Sequence, residues 1–134
     1  MAAGKPSNWK KLSQNLRLAM YPLHLDELKE AIEAPGCHPD IWILEPDITP
    51  LLYLVKNTIP SKTMIVDDDD GTAAAHMLIE AGANVLHKAG DKKHTVLQTA
   101  HRYLEGKEHR YPKLFSLLNE ADANARKADA GAVQ

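Results

Sequence analysis

Three parts of this chain repeat a single pattern. In each part a short apolar segment is followed by a second apolar segment that ends on small residues with Asp or Asn; the parts span 16–34, 49–85 and 95–125. Repetition at a period of a few tens of residues is typical of stacked units, each of which buries its apolar face against its neighbours. Because such stacks expose a long surface, the pattern favours a binding protein over an enzyme with an enclosed pocket.

Composition indicates one ordinary domain. The 134 residues are 44% hydrophobic, which is enough for a continuous core. The formal net charge of −2 gives no reason to expect nucleic acid as a partner. Cys37 is the single cysteine, so no intramolecular disulfide can form and a reducing compartment is expected. No apolar stretch suits a signal peptide or a membrane span, so we expect a soluble protein of the cytoplasm or the nucleus.

Capping residues and prolines predict a helix pair in the first unit. Ser7 is an N-cap candidate, and apolar residues at helical spacing follow it up to Tyr21-Pro22, where proline disfavours helix. Asp26 can cap a second helix, which Pro35-Gly36 ends. The first unit therefore reads as two helices joined by a short turn.

The second unit begins at Thr49-Pro50, a capping residue followed by a residue that suits the first helical position. The lack of a helical period predicts a loop at 57–66, and the whole of 57–70 reads as a loop insertion within this unit. The acidic run Asp67–Asp70 closes the insertion and precedes a predicted helix at 72–81, whose dipole it favours.

The third unit repeats this plan. Thr95 opens a helix predicted at 95–104, and Tyr111-Pro112 opens a helix predicted at 112–120 after a polar linker. Small residues up to Asn124 are predicted to form the closing turn. Residues 125–134 then read as the start of a further unit or as a tail.

These fragments resemble the ankyrin repeat family, whose unit opens on T-P-L-H and closes on a G-A-D-V-N type of turn. The matching residues are Leu16 to Ile32 in the first unit, Thr49, Pro50 and Leu51 with Leu78 to Val85 in the second, and Thr95, Leu97 and Ala100 with Leu117 to Asn124 in the third. The His position of T-P-L-H holds Leu52 and Gln98, which departs from the family pattern. The resemblance covers about residues 9–133.

The resemblance implies an all-α fold, an ankyrin-repeat solenoid of stacked helix-turn-helix units with short finger loops or hairpins. Residues 1–134 would form a single ankyrin-repeat domain with units at approximately 9–40, 41–86 and 87–124. The turn positions Asp40, Leu86 and Asn124 and the helix starts Thr49, Thr95 and Val133 agree with this division, because both sets are 46 and 38 residues apart. The length beyond the family period of roughly 33 residues falls inside the units.

No motif in the sequence points to catalysis, so we expect no enzyme, no cofactor and no metal. Five of the seven histidines lie between 76 and 109, and His94 and His101 are spaced to share a helix face. Scattered polar positions on caps, loops and exposed helix faces are the favoured explanation for them. The run Asp67–Asp70 lacks the spaced oxygens and the glycine of a calcium loop. It reads as helix capping, with an acidic contact for a basic partner as the alternative.

The resemblance also implies which residues meet a partner, because finger loops and first helices line a concave face in ankyrin-like stacks. The predicted partner-binding residues are Trp42, Ile43, Glu45, Tyr53, Lys56, Lys88, Asp91, Lys92, Lys93, Thr99 and Arg102. Trp42 would supply an apolar anchor at one end of the face. The second finger would supply a cationic end, so the face suits a protein segment that carries acidic groups.

The sequence therefore predicts a non-catalytic protein–protein interaction module that acts as a scaffold, adaptor or inhibitor. The expected partner is another protein, and binding to nucleic acid or to a membrane is not expected. One alternative is a self-assembling repeat protein, a homo-oligomer that buries Leu114, Phe115 and Leu118 at an uncapped end. A second alternative is a metal- or ligand-binding domain that uses the histidine-rich segment 76–109.

Overall fold

The computed structural model describes residues 9–41, 43, 48–63, 65–89 and 93–133, without the side chains of Trp9 and of residues 129–133. Within these residues the chain forms six α-helices and no strand beyond two isolated backbone bridges. The helices are α1 (Trp9–Met20), α2 (Leu25–Glu33), α3 (Pro50–Tyr53), α4 (Asp68–Glu80), α5 (Val96–Tyr103) and α6 (Pro112–Val133). A π-helical segment (Leu54–Thr58) continues α3, and a 3-10 turn (Glu108–Arg110) precedes α6. None of the described helices has the length and apolarity needed to cross a membrane.

The helices pack as three consecutive pairs. α1 contacts α2, α3 and the π-helical segment contact α4, and α5 contacts α6. Across the pairs, α4 contacts both α2 and α6, while α3 and the π-helical segment contact α5. The first helices of the pairs are thus α1, α3 with the π-helical segment, and α5; the second helices are α2, α4 and α6. The all-α class is confirmed, and the ankyrin type of stack stays a prediction.

One continuous apolar core joins all three pairs. Fully buried leucines come from every pair, and they include Leu16, Leu28, Leu51, Leu54, Leu78, Leu104 and Leu114. Because α4 lies against helices of both neighbouring pairs, each pair buries its apolar side chains only in the presence of the next.

Within the described residues, three side chains cap the start of the helix that directly follows them in the chain. Thr49 and Asp67 each accept a hydrogen bond from the backbone N–H three residues ahead, at 3.4 and 2.8 Å. Thr95 forms a reciprocal capping box with Gln98, in which the two side chain–backbone bonds are 3.3 and 2.9 Å. These oxygens satisfy amides that no carbonyl of the same helix can reach. The predicted helix starts at Thr49 and Thr95 are therefore confirmed.

In the first pair the helix boundaries differ slightly from the prediction. α1 ends at Met20, before Pro22, as predicted. α2 begins at Leu25 with His24 in the N-cap position, so Asp26 is not the cap. Asp26 lies in the first turn instead, where a negative charge still interacts favourably with the helix dipole. Ser7 lies outside the described residues.

The connector of the second pair is shorter than the predicted loop insertion at 57–70. Helical structure continues to Thr58, and α4 begins at Asp68 rather than at residue 72. Asp67 takes the N-cap position, which places the rest of the acidic run inside the first turn of α4. Gly71 permits this early start, because a Cβ atom there would come within 3.2 Å of the Ile59 side chain.

α6 is much longer than the helix predicted at 112–120. It runs to Val133, because no Gly or Pro interrupts residues 113–130 and the alanines there favour helix. Asp122 also accepts a hydrogen bond from Arg126 Nε one turn later, at 2.6 Å. The predicted turn at Asn124 and the predicted helix start at Val133 are therefore wrong, and residues 125–133 continue α6 instead of starting a further unit. Of the two predicted repeat intervals, the structure retains only the 46 residues between the helix caps Thr49 and Thr95.

Hydrogen bonds join corresponding places in neighbouring pairs. The Asp40 carboxylate, after α2, accepts from the backbone N–H of Asn84, after α4, at 3.0 and 3.2 Å. The Asp68 carboxylate, at the start of α4, accepts from the backbone N–H groups of Lys113 and Leu114 at the start of α6, at 2.9 and 3.0 Å. The bonded residues are 44 to 46 positions apart. That separation is close to the 46 residues between the two threonine caps.

Tyr111 joins the third pair to the connector of the second pair by a hydrogen bond. Its hydroxyl donates to the Val66 carbonyl oxygen at 3.0 Å, and both residues are buried. Next to it, Asp69 forms an ion pair with Lys113 at 2.7 Å. Asp67, Asp68 and Asp69 thus all act within the fold, which confirms the interpretation of the acidic run as capping.

We expect Asp68→Ala to lower the free energy of unfolding by about 1–2 kcal/mol, because two backbone amides of α6 lose their acceptor. Asp70→Ala is the matched control: Asp70 is exposed in the same helical turn, and its side chain caps no other helix in the described part of the chain. Its expected loss is below about 0.5 kcal/mol. Urea unfolding near neutral pH measures both variants, and equal losses would contradict the role given to Asp68.

Tyr111→Phe should lower the free energy of unfolding by about 1 kcal/mol, because the Val66 carbonyl loses a buried donor. Burial also raises the pKa of Tyr111 above its ordinary value of 10.0. Above about pH 10 the folded chain therefore keeps a proton that the unfolded chain loses, so the free energy of unfolding of the wild type falls as pH rises. Tyr111→Phe lacks this group, so its free energy of unfolding should fall less. Urea unfolding from about pH 8 to about pH 11 tests this, with the exposed Tyr103→Phe as control. An unchanged alkaline slope in Tyr111→Phe would refute it.

Candidate protein-binding face

The first helices carry positive charge only. Their charged residues are Lys10, Lys11 and Arg17 on α1, Lys56 on the π-helical segment and Arg102 on α5, and these helices contain no Asp or Glu. Lys10, Lys11 and Arg102 are exposed, and the other two are half-buried. None of the ion pairs within the described residues involves them. Like charges without an acidic residue among them favour a positive potential around these helices.

Two of the three second helices, α2 and α4, carry the opposite charge. α2 and α4 hold Asp26, Glu27, Glu30, Glu33, Asp68, Asp69, Asp70 and Glu80 against a single lysine, Lys29. α6 is balanced, with equal numbers of basic and acidic residues. The net charge of −2 thus conceals a basic row of helices and an acidic one. Net charge alone is for this reason a poor guide to the partner.

The first helices of neighbouring pairs lie near one another. Burial raises the pKa of Tyr53 on α3, and the nearby charge of Arg17 on α1 partly offsets that rise. Just after α1, the Tyr21 hydroxyl lies 3.1 Å from the hydroxyls of both Ser61 and Thr63, and these hydrogen bonds lower the pKa of Tyr21. The π-helical segment then packs on α5. Arg17 of α1 thus lies near α3, and Lys56 and Arg102 lie on elements that pack against each other.

Exposed apolar side chains lie on the same row. Leu18 of α1 is 49% exposed, and Tyr21 and Tyr103, at the ends of α1 and α5, are each 40% exposed. The Arg102 guanidinium lies 5.8 Å from the centre of the Tyr103 ring, within cation–π range. Tyr and Arg beside exposed apolar groups are typical of protein-binding surfaces. The basic face is defined here as Lys10, Lys11, Arg17, Leu18, Tyr21, Lys56, Arg102 and Tyr103.

The structure divides the partner-binding residues that the sequence predicted. Lys56, Lys88, Lys93 and Arg102 reach the surface. Ile43, Tyr53 and Thr99 are only 1%, 6% and 6% exposed, so the prediction that they line an exposed face is wrong. Trp42, Glu45, Asp91 and Lys92 lie outside the described residues.

Each buried residue of that set has a local reason for its position. The Ile43 N–H donates to the Ile48 carbonyl at 2.7 Å, which holds this part of the chain against the core. α3 packs on both α4 and α5, so all of its residues, including Tyr53, are buried. The Thr99 hydroxyl donates to the Thr95 carbonyl at 2.7 Å, so it needs no partner outside α5.

Lys88 and Lys93 lie at the two ends of the predicted second finger. They directly precede Ala89 and His94, whose backbones exchange two hydrogen bonds of 3.1 Å. Lys93 has a positive φ of 52°, which L-residues adopt mainly in tight turns. The two exposed lysines therefore stand beside the Ala89–His94 bridge, and their role in binding stays a prediction.

Reasoning from sequence missed the α1 part of the basic face and Tyr103. The signal was present, because segments 9–20, 50–58 and 96–103 contain Lys and Arg but no acidic residue. A comparison of charge between the first and second helix of each unit finds it. The family resemblance drew attention to finger loops instead.

Histidines do not gather into a metal site in the part of the chain that the structure describes. No group of three or more His, Cys, Asp or Glu side chains there could hold a metal ion. His76 pairs with Glu80 at 3.3 Å, and His101 pairs with Glu108 at 3.4 Å. His94 precedes α5 rather than lying on it, so the predicted helix face shared by His94 and His101 does not form.

The self-assembly alternative named residues that the fold already uses. Leu114, Phe115 and Leu118 are 0%, 8% and 2% exposed, because α6 packs these side chains against its neighbours. An uncapped end made of these three residues is therefore not available at the surface.

Removing cations from the basic face should not destabilise the fold. We expect Lys11→Gln/Arg102→Gln to raise the free energy of unfolding by about 0.3–0.5 kcal/mol at low ionic strength, because like charges are removed. Lys29→Gln is the opposite control, since it removes the single cation of the acidic α2 and should lower stability. Urea unfolding in about 10 mM and about 1 M salt tests both effects, which should vanish at high salt. If the free energy of unfolding falls in both variants, the result would contradict the charge segregation.

Comparison with protein-family models, with curated proteins and with solved structures found no match for this chain. The ankyrin resemblance thus has no independent support from a relative. The charge segregation and the contacts between helix pairs are properties of this chain's own residues.

Proposed function

We propose that this chain is a non-catalytic protein-interaction module that binds an acidic segment of a partner protein through the basic face. The observation that carries the proposal is the segregation of charge between the first and second helices. Repulsion between like charges makes this arrangement unfavourable for stability, and the charges add nothing to the packing of the core. A role in binding would explain the arrangement.

A stack of the ankyrin type is part of the same proposal. The two threonine caps 46 residues apart support it, and so do the bonds between pairs at separations of 44 to 46 residues. In such a stack the first helices of successive pairs would lie side by side along one face. An extended partner segment could then follow the cations from α1 to α5.

The partner is a protein rather than a polyanion without side chains because apolar groups accompany the cations. Leu18, Tyr21 and Tyr103 offer partly exposed surface for apolar contacts, which a phosphate backbone cannot supply. The cations would steer an acidic segment toward the face, and the acidic second helices would repel it elsewhere. A scaffold, an adaptor or an inhibitor could each use this surface.

Selection from a random-peptide display library followed by affinity measurement tests the proposal. Peptides that carry Asp or Glu together with Leu, Phe or Tyr should be enriched. These peptides should bind Lys11→Glu/Arg102→Glu about tenfold more weakly than the wild type, or more weakly still. Their binding to the wild type should weaken with added salt. Lys29→Glu/Lys127→Glu is the control of equal charge change on the second helices, and it should bind as the wild type does.

Two outcomes would overturn the proposal. One is equal affinity of the selected peptides for both double variants. The other is tighter binding of a duplex DNA oligonucleotide than of any selected peptide, which would assign the cations to a nucleic acid.

A further inference from the structure

A small groove lies between the connectors of the second and third pairs. Its floor is formed by Ile59, Val66 and Leu104, which are 2%, 4% and 0% exposed, and its volume is about 110 Å³. Residues 59–61 and 65–66 supply one wall, and residues between 104 and 111 supply the other. The lining and the basic face share no residue, so this connector groove is a separate site.

The rim of the connector groove combines an exposed apolar group with two cations. Ile65 is 99% exposed, the most exposed of the large apolar side chains in the described residues. Lys107 and Arg110 are exposed and take part in none of the ion pairs that the structure describes. The nearby Glu108 carboxylate has other partners, the Gly106 N–H at 3.0 Å and the His101 ring at 3.4 Å.

Hydrogen bonds fix the walls of the groove in place. The Tyr111 hydroxyl donates to the Val66 carbonyl and so ties one wall to the other. On the first wall, Ser61 is held to Tyr21 by a 3.1 Å bond between hydroxyls. A groove that is already formed binds a ligand without a large cost of ordering its own residues.

We propose that the connector groove anchors one aliphatic side chain of a peptide segment, while a carboxylate next to that side chain binds Lys107 and Arg110. The size of the groove supports a single side chain. An engineered apolar cavity of about 150 Å³ holds benzene, whereas cofactor and drug sites are typically about 300–1,000 Å³. Lys107 and Arg110, which form no ion pair within the described residues, determine the charge of the ligand, and Ile65 lies exposed among the lining residues.

The test is a titration of the ¹⁵N-labelled chain with the blocked peptide acetyl-Gly-Asp-Leu-Glu-Gly-amide, followed by NMR. Amide shifts should change at residues 59–66 and 104–111, with a Kd on the order of 1 mM or tighter. Replacing the peptide's Leu by Ala should weaken binding about tenfold, because the anchored apolar area is lost. Replacing its Asp and Glu by Asn and Gln should weaken binding similarly.

Variants of the chain separate this site from the basic face. Lys107→Glu/Arg110→Glu and Ile65→Ser should each weaken the Leu peptide about tenfold. Lys29→Glu/Lys127→Glu, with the same change in charge as the first, should bind as the wild type does. If only Lys11→Glu/Arg102→Glu loses binding, the peptide binds the basic face, and the proposal for the connector groove is wrong. Absence of shifts at the groove up to about 5 mM peptide, or equal binding of the Leu and Ala peptides, would overturn it as well.

Discussion

The Asp68 carboxylate is the interaction on which the second half of the structure depends. It lies in the first turn of α4, yet it accepts hydrogen bonds from the first amides of α6. A carboxylate can satisfy two amides of a neighbouring helix and favour its dipole at the same time. The bond therefore fixes where α6 begins against α4, and with it the position of Tyr111 and of the connector groove.

The basic face and the connector groove meet at Tyr21. Its aromatic ring belongs to the face, and its hydroxyl contacts Ser61 in the wall of the groove. A single extended segment could therefore place acidic residues along the first helices and an aliphatic residue at the connectors. Charge would govern its approach, and burial of the aliphatic group would govern how long it stays.

Local chemistry made part of this fold predictable from sequence. Thr49 and Thr95 are capping residues whose effect depends only on their immediate neighbours, so the helix starts there agree with the prediction. The end of α6 was not predictable from the repeat pattern, because helix-favouring alanines override a turn that the pattern places at Asn124. The burial of Tyr53 depends on α4 and α5, which no single segment reveals. The basic face required knowledge of which helices share a row.

The length of α6 divides the molecule into parts of different cooperativity. Its 22 residues rise about 33 Å, whereas the 13 residues of the neighbouring α4 rise about 20 Å. Among the side chains of α6 that the structure describes, Asp122 is the last buried one, Ala125 still packs partly buried against the core, and the rest of 123–128 are exposed. Helical turns without tertiary packing are marginally stable in water. At residues 126–128, whose side chains are exposed, the amide hydrogens can therefore exchange with solvent through local opening, without unfolding of the core.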